Sequence, residues 1–431
     1  MADIYGRAYV TLCATSSASD DNGCLLATPE LLSPHRIPCK SRNGTEYEVC
    51  VRGWPELQHI SSWETQTIKG TDAAATKTRK TRLDFPFLED FSSLNDFPSR
   101  SDFPLLTRAW CFQERLLSPR LLHFTKGEIM WECGELSTCE CDSNCNNNGV
   151  KPQFLRDRRF KEKYKQLFAC HDCEDSPLAE ICCGCGFTKH EHELVRLWHE
   201  IVQHYSQLDL TFGQDRLPAL SGVAKQMMQL RPGDVYLAGL WRNTLLLDLA
   251  WFVTNRVTRP LDCLGPSWSW SAVEDQVTFA CPITRDTLFD DCVILEAAVT
   301  PVGSDPAGKV IAGHIILSAP LFEARFEVWQ HNEDAERIEF TLEGNGYRTD
   351  FALDCISDYD TGKLKCCDVL TGVRLWVSEM SRDFYLVLAP VEAGPDGLAT
   401  YRRVGHVWQP GEYIKENWYP QGLKPRVLKI I

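Results

Sequence analysis

The chain has 431 residues, a net charge of −14, 44% hydrophobic and 24% charged residues, which is globular composition rather than disorder. That length predicts two or three domains, each able to bury its own core. So acidic a chain repels phosphate backbones and anionic lipid surfaces, which argues against nucleic acid as a partner and against stable membrane insertion.

The N-terminal residues place Asp3 and Arg7 where a signal peptide needs an apolar run. The most apolar window, 236–253, is broken by Arg242, Asn243 and Asp248. A cytoplasmic protein is expected, and its 20 cysteines then read as thiols or metal ligands rather than a disulfide framework.

In chain order, Ile4 to Ala14 reads as a buried helix or strand, Ser16 to Gly23 as a loop, and Tyr47 to Val51 as a strand. Residues 69–102 turn polar, with Pro86 and Pro98, and read either as a long surface loop or as an excursion packed by Phe85, Phe87, Phe91 and Phe97. Leu106 to Leu117 has helical spacing, with Ala109, Phe112 and Leu116 on one side, and Pro119 stops it. Leu121 to Phe124 and Glu128 to Cys133 follow as two strands joined at Thr125, Lys126 and Gly127. Residues 134–190 form a Cys-rich insertion.

Glu193 to Tyr205 places Leu194, Leu197, Trp198, Ile201, Val202 and Tyr205 on one helical face. A second helix is expected from a cap at Asp215 through Met227, and Tyr236 to Trp241 is a buried strand or helix start. From residue 265 the signal is β: Ser267 to Ala272, Val293 to Val299, Val310 to Leu317, Phe322 to Trp329, Arg374 to Val377 and Phe384 to Leu388. The predicted division is thus 1–133, 134–190, 191–264 and a β-rich 265–431.

Four constellations carry candidate chemistry. Arg108, Gln113 and Glu114, with Trp110, lie close on one helix. Desolvation of the Glu114 carboxyl beside an indole suits acid–base work, while the bland alternative is a structural helix. Cys170-x2-Cys173 and Cys182-x2-Cys185 have the knuckle spacing of a four-ligand structural zinc, or else are free thiols in an insertion. His190, His192, His199 and His204 fit no metal motif and read as satisfied histidines. Trp241, Trp251, Trp268 and Trp270, with Trp110, either pack a core or line an apolar pocket. Alternation in Ser267 to Ser271 puts Trp268 and Trp270 on one strand face. Dinucleotide, Walker A, zincin and nucleophile-elbow motifs are absent.

Several stretches resemble the fungal heterokaryon-incompatibility (HET) family. Met1 to Ala14, with Ile4-Tyr5 and Ala8, is similar to its "M-x-x-I-Y-x-x-A-x-x-T-I-x-A" segment. Arg108-Ala109-Trp110-Cys111-Phe112-Gln113-Glu114 is similar to its "R-x-W-x-x-Q-E" block. Leu122 to Phe124, Met130 to Cys133, Leu217 to Gly222, Tyr236 to Trp241 and Pro266 to Ser271 resemble downstream segments. The family's two preceding strands, "Y-x-x-L-S-Y-x-W-G" and "W-I-D-x-x-C-I-x-Q", have no counterpart ahead of Ile4.

The resemblance implies an α+β fold: a truncated HET-type α/β region, remotely TIR-like, followed by a β-rich C-terminal region. It implies non-self recognition or cell-death signalling through protein contacts, with no cofactor required and no catalysis of its own. A different class of reading is a cofactor-independent cyclase or pericyclase of fungal secondary metabolism, which would fold an apolar small molecule in an aromatic pocket. A third keeps TIR-like NAD hydrolysis with Glu114 as its carboxylate.

Overall fold

The computed structural model describes residues 2–27, 35–41, 43–51, 103–135, 137–140, 160–170, 189–253, 265–280, 287–288, 291–330, 338–344, 347–378, 383–408, 420 and 422–431. The chain forms two compact units, Met1–Ala169 and Cys170–Ile431. The boundary falls inside the stretch 134–190, and residues 191–264 share a unit with the β-rich 265–431. The expected α+β class holds at that coarse level: helices and strands are both present, and strands dominate the C-terminal region.

The first unit contains α1 (Ala2–Gly6), β1 (Thr11–Cys13), β2 (His35–Lys40), β3 (Glu46–Val51), α2 (Ala109–Leu117), β4 (Arg120–Phe124), β5 (Ile129–Cys133), β6 (Ser137–Cys139) and α3 (Phe160–Cys170). Strands β1, β4, β5 and β6 form one sheet in that order, and β2 and β3 pair as a separate hairpin. β1 runs parallel to β4, and the other pairs are antiparallel. Alternation along β4 and β5 buries Leu121, His123, Met130 and Glu132 on one face. Arg115 of α2 reaches Glu132 on that face, and Lys161 of α3 donates to the Arg115 carbonyl at 2.8 Å. On the opposite face Leu12, Leu122 and Trp131 stand in cross-strand register.

Two sequence expectations change here. The helix expected from Leu106 begins at Ala109, because Arg108 is extended (φ −87°, ψ 124°) after a 3-10 turn at Pro104–Thr107. The expected buried segment from Ile4 to Ala14 is a five-residue helix and a three-residue strand. Ile4 is 72%, Tyr9 82% and Leu12 60% exposed, and strand alternation turns Thr11 and Cys13 of β1 inward, of which only Cys13 is fully buried.

In the second unit α4 (Lys189–Ser206) buries the apolar face that its period predicts, from Leu194 to Tyr205. The expected helix from Asp215 is instead two 3-10 turns, Gly213–Asp215 and Pro218–Leu220, followed by α5 (Ser221–Gln229). Pro218 starts the second turn, where its missing N–H costs nothing. β7 (Tyr236–Leu237) and β8 (Leu240–Trp241) pair as a tight hairpin, since Ala238 and Gly239 both take positive φ, 47° and 98°. Then come α6 (Leu245–Asp248), β9 (Trp251–Val253) and β10 (Val277–Phe279), the two strands pairing antiparallel.

The C-terminal strands are β11 (Thr287–Leu288), β12 (Val293–Pro301), β13 (Val310–Gln330), β14 (Ile338–Gly344), β15 (Tyr347–Asp350) and β16 (Ala352–Leu353). After α7 (Ser357–Asp360) follow β17 (Val369–Ser378), β18 (Phe384–Val391), β19 (Thr400–Trp408) and β20 (Pro425–Ile430). The two strands expected at 310–317 and 322–329 are one strand of 21 residues. It changes partners around Pro320, which has no N–H to give: β12 and β20 lie before it, β17 and β14 after it. Pairing runs from β13 to β17, β18, β19, β20 and back to β13, so five strands close a barrel-like circuit. Phe322, Phe326, Tyr385, Val387, Val404 and Val407 fill its core.

Candidate functional site

In the first unit α1 lies against α2. With α2 starting at Ala109, Cys111 and Glu114 are neighbours one turn apart on it. The Tyr5 hydroxyl of α1 is placed to donate to the Glu114 carboxylate and favours its charged form. Burial raises the Glu114 carboxyl above its ordinary value, while the Tyr5 hydrogen bond and the Arg108 guanidinium pull the other way. Tyr5 is pushed up to about 12 by burial and then by the Glu114 charge. Burial and the same charge push the Cys111 thiol up to about 11. The result is a half-buried carboxyl with a phenol donor and a cation beside it, which can hold or release a proton.

Of the expected acid–base residues, Arg108 and Glu114 thus act on each other electrostatically. Gln113 points away: it is buried in the α2 packing face. Trp110 is half-buried on the same helix.

Behind α2 lies a polar line that the sequence reading did not single out. Arg115 Nε donates to Glu132 Oε2 at 2.8 Å, and the same oxygen is 2.9 Å from His123 Nε2. His123 Nδ1 is 2.9 Å from the Thr15 hydroxyl. Burial lowers the His123 pKa, so the ring is neutral, with Nε2–H donating to Glu132 and Nδ1 accepting from Thr15. Arg115 beside Glu132 holds that carboxyl well below its ordinary value despite its burial. Burial brings Lys161 down to about 8. Thr15 and His123 are closed off from solvent, so the line is a scaffold for α2 and not a nucleophile set. A signal existed: His123 and Glu132 occupy inward positions of apolar, alternating strands.

Beside this site the surface is apolar. Ile4, Tyr9, Val10 and Leu12 are exposed along α1 and β1. The Arg120 guanidinium sits 5.1 Å from the Tyr9 ring centre and donates to the Tyr9 carbonyl at 3.4 Å. Among the described residues β1 pairs only with β4.

Trp241, Trp251, Trp268 and Trp270 belong to the second unit, whereas Trp110 belongs to the first. All four are fully buried. Trp270 and Trp198 both donate to the Gly239 carbonyl at 2.9 Å, and Trp251 donates to the Trp268 carbonyl at 2.8 Å. Trp241 packs edge-on against Trp198 at 5.5 Å. The strand expected for Ser267 to Ala272 is replaced by a 3-10 turn at Trp270–Ala272, because the Ser269 hydroxyl accepts from the Ser271 N–H at 3.0 Å and curls the chain. Gly239 is required here: its φ is positive, and a Cβ would collide with the Trp270 indole.

His199 is a buried core histidine: its Nε2 lies 2.8 Å from Asp248 and its ring stacks on Phe279 at 3.9 Å. Of the expected zinc ligands, Cys170 ends α3, and Cys173, Cys182 and Cys185 lie outside the described residues. Among the described residues no group of three or more His, Cys, Asp or Glu is placed to hold a metal. Nor is any described helix long and apolar enough to cross a membrane.

No protein-family model, curated protein or solved structure matches the chain.

Proposed function

We propose that the chain is a HET-type protein of fungal non-self recognition or cell-death signalling, and that it works by contact with another protein through the α1–β1 side of its first unit. The observation that carries this reading is the cluster of exposed Ile4, Tyr9 and Leu12 along α1 and β1, where among the described residues β1 pairs only with β4. Edge strands are ordinarily blunted by charge or proline, and β1, Thr-Leu-Cys, has neither. An extended segment of a partner laid along β1 would cover Leu12 with its own apolar side chains. The resemblance of Arg108 to Glu114 to the family block supports the same reading.

Inducible expression in a filamentous fungus tests it. Wild-type protein is expected to arrest growth. Leu12→Asp should restore growth at unchanged protein level, and Glu114→Gln should still arrest. The opposite pattern, rescue by Glu114→Gln alone, would assign the effect to catalysis and overturn the proposal.

A further inference from the structure

Among the described cysteines, Cys13, Cys292 and Cys355 are buried, and Cys24, Cys39, Cys111 and Cys133 are partly covered. Cys366 and Cys367 are exposed, and they are adjacent in the chain. Successive side chains of an extended chain point to opposite sides. Here they do not. Cys367 has φ 72°, a left-handed conformation uncommon for a residue with a Cβ, and the two sulfurs lie 3.9 Å apart.

The turn that holds them is fixed from both sides. Cys367 N–H donates to the Phe326 carbonyl at 2.7 Å, and Phe326 N–H donates to the Asp368 carbonyl at 2.8 Å. Lys365 N–H donates to the Asp368 carboxylate at 2.7 Å, and Asp368 N–H returns to the Lys365 carbonyl at 3.0 Å. Leu364, just before the pair, is buried in the barrel core. The backbone is therefore anchored while both thiols face solvent.

We propose that Cys366 and Cys367 form a peroxide-sensitive dithiol on the β-rich unit, which two-electron oxidation closes into a vicinal disulfide. One thiol, as thiolate, attacks the peroxide O–O bond. It keeps one oxygen as a sulfenic acid, and the other leaves and is protonated to water. The neighbouring sulfur then displaces that oxygen as a second water and forms the S–S bond. In sum, two thiols and one hydrogen peroxide give one disulfide and two waters. The sulfurs move from 3.9 Å to the roughly 2.05 Å of a disulfide by side-chain rotation and local adjustment of the turn. The Cys367 thiol is raised above its ordinary value by its hydrogen bond to Cys366 and then by the charge that Cys366 would carry, so ionising both thiols at once is disfavoured.

Trypsin releases the pair on one peptide, Cys366 to Arg374, because Lys365 precedes it. The full-length native protein, reduced and desalted, is treated with hydrogen peroxide, alkylated and digested. The expected product is the unalkylated peptide, lighter by two hydrogens and returned to the dithiol by dithiothreitol. A doubly alkylated peptide, a link to another peptide, or a sulfinic acid as the main product would overturn the proposal. With dimedone present during oxidation, Cys366→Ser should accumulate a sulfenic adduct on Cys367 that wild type lacks. Equal adduct in both proteins would show that the second thiol resolves nothing.

Discussion

The guanidinium of Arg403 lies 3.4 Å over the Trp251 ring and holds both oxygens of Asp354, at 2.7 and 3.1 Å. Its remaining donors reach the Leu249 and Trp251 carbonyls at 2.7 and 2.6 Å. One fully buried cation on β19 thereby ties the barrel-like circuit to the chain between α6 and β9.

Removing that cation leaves Asp354 buried without its counter-charge. Arg403→Leu is expected to destabilise the protein by about 3–5 kcal/mol. Arg403→Lys should recover little of it, since a point charge cannot bridge a carboxylate and two carbonyls at once. Urea denaturation of the three proteins measures both values, and a wild-type midpoint for Arg403→Lys would contradict the bridging role.

His406 sits between Phe384, parallel at 5.4 Å, and Phe252 at 5.3 Å. Burial, and then the Arg403 charge, bring its pKa from 6.5 down to about 3. The folded protein therefore keeps the ring neutral where the unfolded chain protonates it. Below 6.5 the unfolded state binds the extra proton, so stability falls as pH drops toward 3 and is fully present above 6.5. The slope approaches roughly 1.4 kcal/mol per pH unit for this one group. His406→Phe keeps a ring in the stack and should flatten the loss between neutral and mildly acid pH. Buried His123, whose pKa is also lowered, leaves a residual slope. Parallel curves for variant and wild type would refute the assignment.

Local periodicity was legible where one face of one element decides burial. The run from Leu194 to Tyr205 announces α4, and alternation through Leu121 to Cys133 announces β4 and β5. The same rule misled at Ser267 to Ser271, where a strand-like alternation yields to a serine hydroxyl that captures a nearby N–H. It was silent for β19 and β20, whose Arg402, Arg403, Arg426 and Lys429 mask the pattern, although Arg403 is a core residue. In the candidate site, Glu114 and Arg108 stand in one recognisable block, but Tyr5 reaches Glu114 only through the docking of α1 on α2. No spacing rule encodes such a contact.

Leu12 and Leu121 test which side of the first unit's sheet is covered. They sit on neighbouring strands with opposite exposure, 60% against 0%. Leu121→Ala is expected to cost about 2–5 kcal/mol by opening a core cavity. Leu12→Asp should stay within about 0.5 kcal/mol of wild type, as surface changes do. Thermal melts monitored by circular dichroism separate the two, and a large loss from Leu12→Asp would mean that the outer face is already packed.

Glu114 gains its raised pKa from burial, while the Tyr5 hydroxyl opposes that shift by stabilising the carboxylate. Tyr5→Phe removes the opposing donor and keeps the ring, so the Glu114 carboxyl should titrate at a higher pH than in wild type. Arg108→Gln should move it in the same direction, through loss of a nearby positive charge. The Cys111 thiol should fall slightly in Glu114→Gln, because the charge that helps to raise it is gone. Carbon-13 titration of glutamate-labelled protein follows the carboxyl directly, and thiol alkylation rates against pH follow Cys111. A Glu114 midpoint that drops in Tyr5→Phe would mean that the phenol serves the protonated acid instead, and that α1 is docked to hold a neutral carboxyl rather than a charged one.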